Sequence, residues 1–213
     1  MSILYNSYRM FTGTKKNEKY WKERQIDWKT GYWTPEHPHR EMIIKALGRF
    51  NFGSVFEIGC ASGANLQRIH QAYPQTQFGG MDINAEAIAL AKQLLPQAQI
   101  LDVGQADDIY FSDKSIDVIL TDATLIYIDR DKIDKVMKEI TRIARNGIVL
   151  CEFHSQSWWR RLGLRFVSHL NAYDYEKLLD KYDCYDIQFT KIPADIWPVL
   201  PWMEFGWIIS ARI

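Results

Sequence analysis

The sequence predicts an α/β fold in which a mostly parallel sheet is covered by helices on both faces. Between residues 54 and 155, short apolar runs alternate with segments whose apolar residues recur at helical spacing, a pattern typical of βαβ units. The C-terminal part of the chain instead has two apolar runs joined by a proline-rich loop. These predict an antiparallel pair at one edge of the sheet, because a parallel strand would need a crossover helix.

The predicted elements follow one another without a linker or an internal repeat. Thr34 is the predicted N-cap of one helix, with Pro35 at its first helical position, and Asn84 is the predicted cap of another. The predicted strands are 54–59, 77–83, 99–103, 115–122, 147–153, 184–192 and 205–213, and the predicted helices are 34–47, 64–73, 84–95, 131–144 and 174–182.

Composition and charge limit the class of protein. The chain has 213 residues, 47% of them hydrophobic and 14% aromatic, which suits one folded domain and not a disordered chain. The formal charge is zero, which counts against a nucleic-acid partner because such proteins normally carry a basic excess. Cys60, Cys151 and Cys184 are far apart, so neither a metal site nor a disulfide framework is predicted.

The N-terminal segment differs from the rest of the chain. Residues 1–40 are rich in Tyr, Trp, Lys and Arg, so we expect a helical, aromatic lid segment on a domain of residues 41–213. No apolar signal region and no stretch of the ~18 apolar residues that span a membrane is found. We therefore expect a cytoplasmic protein without a membrane partner. The sequence leaves the oligomeric state open, a dimer included.

The most informative stretch is the turn after the first predicted strand, which holds Glu57, Gly59, Cys60, Ala61 and Gly63. Small residues let a backbone approach a ligand closely, and glycine adopts dihedral angles barred to other residues. The helix that follows presents N–H groups and the positive end of its dipole, which favours an anionic or carboxylate-bearing ligand. The dinucleotide fingerprint G-x-G-x-x-G is absent, and the carboxylate of Glu57 suits a ligand with an amino group.

These residues resemble the first motif of the class I S-adenosylmethionine-dependent methyltransferases, which is an acidic residue, any residue, then Gly-x-Gly-x-Gly. Glu57, Gly59, Ala61 and Gly63 match this motif, with Ala61 in place of the middle glycine. The resemblance covers most of residues 35–155. It implies a doubly wound, Rossmann-like sheet of seven strands, with S-adenosyl-L-methionine as the cofactor and S-adenosyl-L-homocysteine as its product.

Further positions match the family pattern in order. The resemblance implies that Asp82, about 20 residues after the glycine loop, holds the ribose hydroxyls. It places Gln105 and Ala106 against the adenine edge, where the family has Asp-Ala, and residues 121–128 beside the methyl group. The cofactor-binding residues that it implies are Glu57, Gly59, Cys60, Ala61, Gly63, Asp82, Ile83, Gln105, Ala106, Thr121 and Asp122.

The catalytic residues are less clearly marked. Methyl transfer is an in-line displacement in which the enzyme mainly positions and desolvates the reactants. A base is needed only if the acceptor loses a proton. The candidates are Tyr127, His154, and His37 or its neighbour His39. The chain lacks the Asn/Asp-Pro-Pro-aromatic motif of enzymes that methylate nucleic-acid and glutamine amino groups. The expected acceptor is therefore a small molecule, such as a sugar or another biosynthetic intermediate, methylated at oxygen or nitrogen.

Two other functions stay open on the sequence. An NAD(P)-dependent oxidoreductase would use the same sheet and an acid at Asp82, although the missing third glycine and Glu57 count against it. A non-catalytic Rossmann-like scaffold would keep the fold without turnover. Ala61 in a glycine position and the lack of a clear base leave that function open.

Overall fold

The structure, a computed structural model, describes residues 14–213 and contains a seven-stranded sheet. Its strands are β1 (Ser54–Ile58), β2 (Gln77–Asp82), β3 (Ile100–Val103), β4 (Ile116–Asp122), β5 (Ala144–Phe153), β6 (Tyr185–Lys191) and β7 (Gly206–Arg212). They lie in the order β3-β2-β1-β4-β5-β7-β6. Strands β1 to β5 pair in parallel, and β7 is antiparallel to both β5 and β6. The predicted sheet with its antiparallel C-terminal pair is confirmed.

Helices cover both faces of this sheet. They are α1 (Thr14–Glu23), α2 (Trp28–Tyr32), α3 (His39–Leu47), α4 (Ala64–Ala72), α5 (Ala85–Leu94), α6 (Ile133–Ile143), α7 (Trp158–Ser168), α8 (Tyr175–Asp180) and α9 (Leu200–Phe205). Apolar residues of α3, α4 and α5 share one core with one set of strand side chains. Those of α6 and α8 share a second core with the alternate set. The protein is thus a sheet between two helical layers.

The pattern of α6 shows why these segments form where they do. Its apolar side chains recur every three or four residues and are at most 5% exposed, namely Ile133, Val136, Met137, Ile140 and Ile143. Burying each such side chain stabilises the fold by about 1.5–3 kcal/mol. The polar residues between them face solvent, as the sequence pattern predicts.

The topology brings three acidic residues to one edge. Strand β1 lies between β2 and β4, and all three are parallel, so their carboxyl ends meet. Glu57 is the penultimate residue of β1, and Asp82 and Asp122 are the last residues of β2 and β4. In open α/β sheets, ligands bind at this edge where the strand order reverses.

The helix predicted from Thr34 begins later in the structure. Helix α3 starts at His39 with Pro38 as its N-cap, so the prediction of Thr34 as N-cap and Pro35 as first helical residue was wrong. A residue before proline is disfavoured in the helical region, and His37 precedes Pro38. Residues 34–37 form a turn instead, in which the His37 N–H donates to the Thr34 carbonyl over 3.1 Å.

Helix α1 lies on the carboxyl side of the sheet. The Asn17 side chain donates to the Tyr127 carbonyl over 2.8 Å, and the rings of Trp21 and Tyr127 are 4.8 Å apart. Asn84, which caps α5 as predicted, also donates to the Trp21 carbonyl. This position suits the expected lid segment, which stays a prediction.

The structure covers the expected lid segment only in part, and its expected end does not coincide with the end of a helix. Residues 1–13 of the expected lid lie outside the described part of the chain, and the expected boundary at residues 40/41 falls within α3. Among the helices of residues 14–213, not one has the length and apolar character needed to cross a membrane.

Candidate functional site

The turn after β1 has a backbone that requires small residues. Gly59 and Gly63 have φ angles of 77° and 86°, and Ala61 has a φ of 46°. A Cβ on Gly59 would lie 2.1 Å from Thr124 Oγ1, and one on Gly63 would lie 2.5 Å from a Leu95 methyl carbon. Both the conformation and the close packing therefore favour glycine at these two positions.

Asp82, the last residue of β2, accepts a hydrogen bond from this turn. Its Oδ2 accepts from the Ala61 N–H over 2.9 Å, and its Oδ1 accepts from the Asn84 N–H over 2.8 Å. Burial raises the pKa of the Asp82 carboxyl. Each oxygen of a carboxylate has two lone-pair sites, so both oxygens keep capacity for one more donor.

Glu57 is buried one residue before the end of β1, at 2% exposure. Its Oε1 accepts from the Asn65 side chain over 2.6 Å. Its Oε2 has no hydrogen-bond partner within the part of the chain that the structure describes. Burial raises the pKa of this carboxyl to about 8. A buried oxygen without a donor is costly, and a cationic ligand group would relieve that cost.

Asp122 at the end of β4 is the centre of a second polar cluster. Its Oδ2 lies 2.9 Å from His39 Nε2, 3.0 Å from Asn65 Nδ2 and 3.3 Å from Arg40 Nη1. Burial alone would raise its pKa, but His39 and Arg40 hold the pKa of Asp122 well below its usual range. Asn65 bonds both Glu57 and Asp122, so the two clusters form one network.

His37 extends this network toward solvent. Its Nδ1 lies 2.5 Å from His39 Nδ1, and the ring of Trp197 lies 5.1 Å from His37 and 4.4 Å from His39. Burial, His39 and Arg40 lower the pKa of His37 to about 4. His37 is therefore neutral at pH 7.

Glu152 on β5 organises the loop that follows β4. Its carboxylate accepts from the N–H groups of Thr124, Leu125 and Ile126 over 3.0–3.2 Å. These residues start the 3₁₀ helix Leu125–Tyr127. Burial raises the pKa of Glu152 to about 7. A carboxylate at the N-terminus of a helical turn satisfies its free donors.

The structure brings most of the predicted cofactor residues together at the ends of β1, β2 and β4. Cys60 is buried behind the glycine turn, and Thr121 is fully buried next to Asp122. Ile83 directly follows Asp82. Gln105 and Ala106 follow β3 at the same edge, and Gln105 Oε1 lies 3.4 Å from Lys132 Nζ.

The catalytic candidates lie in different places, and His39 contacts Asp122 directly over 2.9 Å. His37 joins the Asp122 cluster, and Tyr127 lies in the 3₁₀ helix beneath α1. His154 follows β5, with its ring 4.7 Å from Phe189 and its Nδ1 accepting from the Tyr175 N–H. The contacts described for His154 do not include Glu57, Asp82 or Asp122, so its ring belongs to the aromatic packing above β6 and β7.

Sequence reasoning missed Arg40 and Glu152 as members of this site, and it considered His39 only as a possible base. The pair His39 and Asp122 is separated by 83 residues, and only the fold brings the two together. A signal existed for Arg40, since a polar residue in the first turn of an otherwise amphipathic helix could have been placed at the sheet edge.

The Asp122 cluster also contains side chains of the types that bind metal ions. The ligand atoms of His39, Asp122 and Cys151 lie within 4.8 Å of one another. However, Asp122 Oδ2 already accepts from three donors, one of them the Arg40 guanidinium. Burial also raises the pKa of the Cys151 thiol, which opposes the thiolate that a metal needs. The donor set suits a proton-holding network better than a cation.

Comparison with known proteins identifies the class. The family described as "Methyltransferase domain" matches residues 55–147, which run from β1 into β5 and carry the glycine turn, Asp82 and Asp122. Residues 55–147 therefore match a methyltransferase domain, in line with the class I S-adenosylmethionine-dependent methyltransferases. The resemblance predicted from the sequence motifs is confirmed.

Individual relatives are more distant. An uncharacterized protein of Rickettsia prowazekii (strain Madrid E) is 26% identical over 110 residues, which are 49% of this chain and 44% of that protein. The chain thus matches less than half of that relative's length.

Two solved structures illustrate the shared fold. Geranyl diphosphate C-methyltransferase from Streptomyces coelicolor A3(2), in complex with Mg²⁺, geranyl diphosphate and S-adenosyl-L-homocysteine, has a TM-score of 0.68 at 12% identity, covering 93% of this chain and 97% of its own. The [4+2]-cyclase SpnF has a TM-score of 0.64 at 14% identity, covering 90% and 86%. At these identities the likeness concerns the fold, which serves more than one reaction.

Proposed function

We propose that the protein transfers the methyl group of S-adenosyl-L-methionine to a small-molecule acceptor, at oxygen or nitrogen. The observation that carries this proposal is the buried Oε2 of Glu57 without a partner, beside a glycine turn inside the matched methyltransferase domain. An ammonium group satisfies such an oxygen and neutralises the carboxylate. S-adenosyl-L-methionine carries an ammonium on its methionine part.

The residues at the sheet edge fit the rest of this cofactor. The spare lone pairs of Asp82 suit two ribose hydroxyls. Gln105 and Ala106 follow the next strand and suit the adenine edge. The small side chains of the glycine turn leave room for the backbone to approach the ligand. The cofactor supplies an electrophilic methyl group, and the chain's own residues orient it.

The proposal for the acceptor rests on charge and on missing motifs. A formal charge of zero does not suit a polyanionic acceptor such as RNA or DNA. Several polar groups lie near the end of β4, namely His37, His39, Arg40, Asn65 and Asp122. A compact polar cluster of this kind suits a small molecule with its own polar groups.

Calorimetric titration tests the cofactor. We expect micromolar binding of S-adenosyl-L-methionine and S-adenosyl-L-homocysteine, and no binding of NADH. We expect Asp82→Ala to weaken S-adenosyl-L-homocysteine binding about 10- to 150-fold, the effect of losing about 1.5–3 kcal/mol of hydrogen bonds to a charged acceptor.

The matched control is Asp180→Ala, which removes an exposed carboxylate on α8 and should leave binding unchanged. Binding of NADH alone would contradict the proposal and favour the oxidoreductase. Cofactor binding without methyl transfer to any component of a metabolite extract would favour the non-catalytic scaffold.

A further inference from the structure

Helix α7 carries its apolar residues on the outside of the protein. Residues three and four positions apart share one side of a helix, and on α7 such a set forms an outward surface, the α7 apolar face, made of Trp158, Trp159, Leu162, Phe166 and Val167. Four of these side chains are 51–87% exposed, and Leu162 is partly exposed. The arrangement is the reverse of α6, whose apolar residues face the core.

The inner side of α7 is held by polar contacts and by one buried leucine, Leu164. Arg165 Nη2 lies 3.2 Å from Asp129 Oδ1. The Arg161 guanidinium donates to the carbonyls of Ser155 and Gln156 over 2.6 and 2.9 Å. These contacts fix the rotation of the helix about its axis, so the apolar face stays outward.

The short helix α9 extends this exposed surface. Six of the nine large hydrophobic side chains that are exposed within residues 14–213 lie on α7 and α9, and α9 contributes Leu200 and Met203. Arg160 connects the two helices, with Nη2 3.5 Å from Glu204 Oε2 and its guanidinium 5.1 Å from the ring of Phe205. A concentration of exposed apolar side chains marks a site of interaction with a protein or a membrane.

The charge along this part of the chain is positive. Residues 153–173 contain three arginines and neither Asp nor Glu. Arg161 and Arg165 follow Trp158 and Leu162 by three residues, so they border one side of the apolar face, and Arg160 lies two turns before Val167 on the other side. The Arg160 side chain is 56% exposed and its partner Glu204 is 55% exposed, so this ion pair is weak enough to exchange for another anion.

We propose that the α7 apolar face, together with Leu200 and Met203, docks the protein onto the surface of an anionic lipid bilayer. The aromatic rings enter the boundary between headgroups and acyl chains, and the arginine heads stay level with the lipid phosphates. A helix that lies on a membrane needs no spanning stretch. The proposal therefore departs from the expectation of no membrane partner, which rested on the lack of such a stretch, and it does not depend on methyl transfer.

The size and composition of the surface favour a bilayer over a second copy of the chain. A stable protein–protein interface takes about 20–30 residues from each partner, whereas α7 and α9 offer seven apolar side chains. Tryptophan is enriched at membrane–water interfaces, and the rings of Trp158 and Trp159 stack on each other at the start of α7, with centroids 3.5 Å apart. A basic helix with one apolar face is typical of membrane-surface binding.

Flotation of the full chain with lipid vesicles tests the proposal. We expect the protein to float with vesicles of phosphatidylcholine and phosphatidylglycerol, and much less with vesicles of phosphatidylcholine alone. Binding to the anionic vesicles should weaken at high ionic strength, because salt screens exposed charges.

Two variants separate the apolar and the charged contributions. Phe166→Ser/Val167→Ser should lower the partition coefficient for anionic vesicles at least about tenfold, because two apolar side chains no longer enter the lipid. Arg160→Gln should lower it about fivefold, the effect of one arginine near an anionic surface. Both changes are at exposed positions, so urea unfolding should match that of the unaltered protein.

The matched control is Val103→Ser, which removes an exposed apolar side chain at the end of β3, the strand at the far edge of the sheet, and should float normally. Equal flotation of Phe166→Ser/Val167→Ser, equal binding to neutral and anionic vesicles, or no flotation at all would overturn the proposal. A dimer that the double serine variant converts to monomer, without flotation of the unaltered protein, would also overturn it and assign the face to a second copy.

Discussion

Glu57 and Glu152 are buried glutamates on the same sheet, and they differ in how their oxygens are used. Glu152 on β5 accepts from three backbone N–H groups with its two oxygens. Glu57 on β1 accepts from one side chain with Oε1, and Oε2 has no partner within the described chain. Burial raises the pKa of both carboxyl groups. The cost of burial is similar, so the difference lies in what offsets it.

In these two glutamates, a carboxylate oxygen without a partner indicates a ligand site better than burial of the charge does. Both oxygens of Glu152 have partners in its own chain, which makes it part of the scaffold. Only one oxygen of Glu57 has a hydrogen-bond donor, and a cationic ligand group would supply a donor to the other. Strong pKa shifts occur at structural and functional sites alike, and the hydrogen-bond partners separate the two here.

The largest expected effect is on stability, at Glu152. Glu152→Ala leaves the buried N–H groups of the 3₁₀ helix without an acceptor, so we expect a loss of about 3–5 kcal/mol in the free energy of unfolding. Urea unfolding measures it, with Glu86→Ala on the exposed first turn of α5 as the control. A loss below about 1 kcal/mol would mean that water replaces the carboxylate and that the loop does not depend on it.

The next effect is on binding, at Glu57. Glu57→Gln keeps an oxygen for Asn65 but removes the charge that an ammonium needs. We expect S-adenosyl-L-homocysteine affinity to fall about 10- to 150-fold, or about 1.5–3 kcal/mol. At pH 5, where the folded state keeps the Glu57 carboxyl protonated, we expect the free energy of unfolding to change by less than about 1 kcal/mol. Calorimetry and urea unfolding give the two values. A loss of stability without a loss of affinity would reverse the roles of the two glutamates.

The pH dependence of stability separates the groups further. A carboxyl whose pKa is higher in the folded state keeps its proton longer there, so the folded state loses stability as pH rises from about 4.5 to about 7 for Glu152 and to about 8 for Glu57. The slope is at most about 1.4 kcal/mol per pH unit for each group. Urea unfolding between pH 5 and about 8 should therefore show a shallower fall in Glu57→Gln than in the unaltered protein, and parallel curves would contradict the raised pKa.

The pH dependence of stability that Asp122 contributes has the opposite sign. Its pKa is held well below the usual range, so its contribution is fully present above about pH 4 and is lost as pH falls further.

The smallest effect is expected at Ala61, in the turn beside Glu57. Its φ of 46° costs an alanine about 1 kcal/mol, which glycine would avoid, while glycine loses more chain entropy on folding. The two terms nearly cancel. Ala61→Gly should change the free energy of unfolding by less than about 1 kcal/mol and S-adenosyl-L-homocysteine affinity by less than about threefold. A larger gain in affinity would show that the extra methyl group obstructs the ligand.

Much of the fold was predictable because its signals are local. The apolar spacing of α6 and the Asn84 cap of α5 are visible within a few residues, and both are confirmed. The parallel pairing of β1 to β5 followed from the alternation of strand and helix. The start of α3 was wrong because two rules competed, and the restriction on the residue before Pro38 outweighed the capping signal of Thr34.

The site was only partly predictable, because only some of its residues lie in local sequence motifs. Glu57, Gly59, Gly63 and Asp82 lie in short motifs, but the roles proposed for them still await the binding experiments. The partners of Asp122 and the three amides held by Glu152 lie far away in the sequence. No local pattern specifies such pairs, and only the packed sheet brings them together.

The position of β7 also bears on how the chain is made. It follows β6 in the chain but lies between β5 and β6 in the sheet, so β5 emerges from the ribosome long before its neighbour exists. At ~5–20 residues per second, the fully buried strand segment Ile148–Leu150 waits for seconds with one edge open. Open apolar edges pair with other chains. Shortened chains that end before Gly206 should therefore be recovered as aggregates, while additions after β7 should be tolerated.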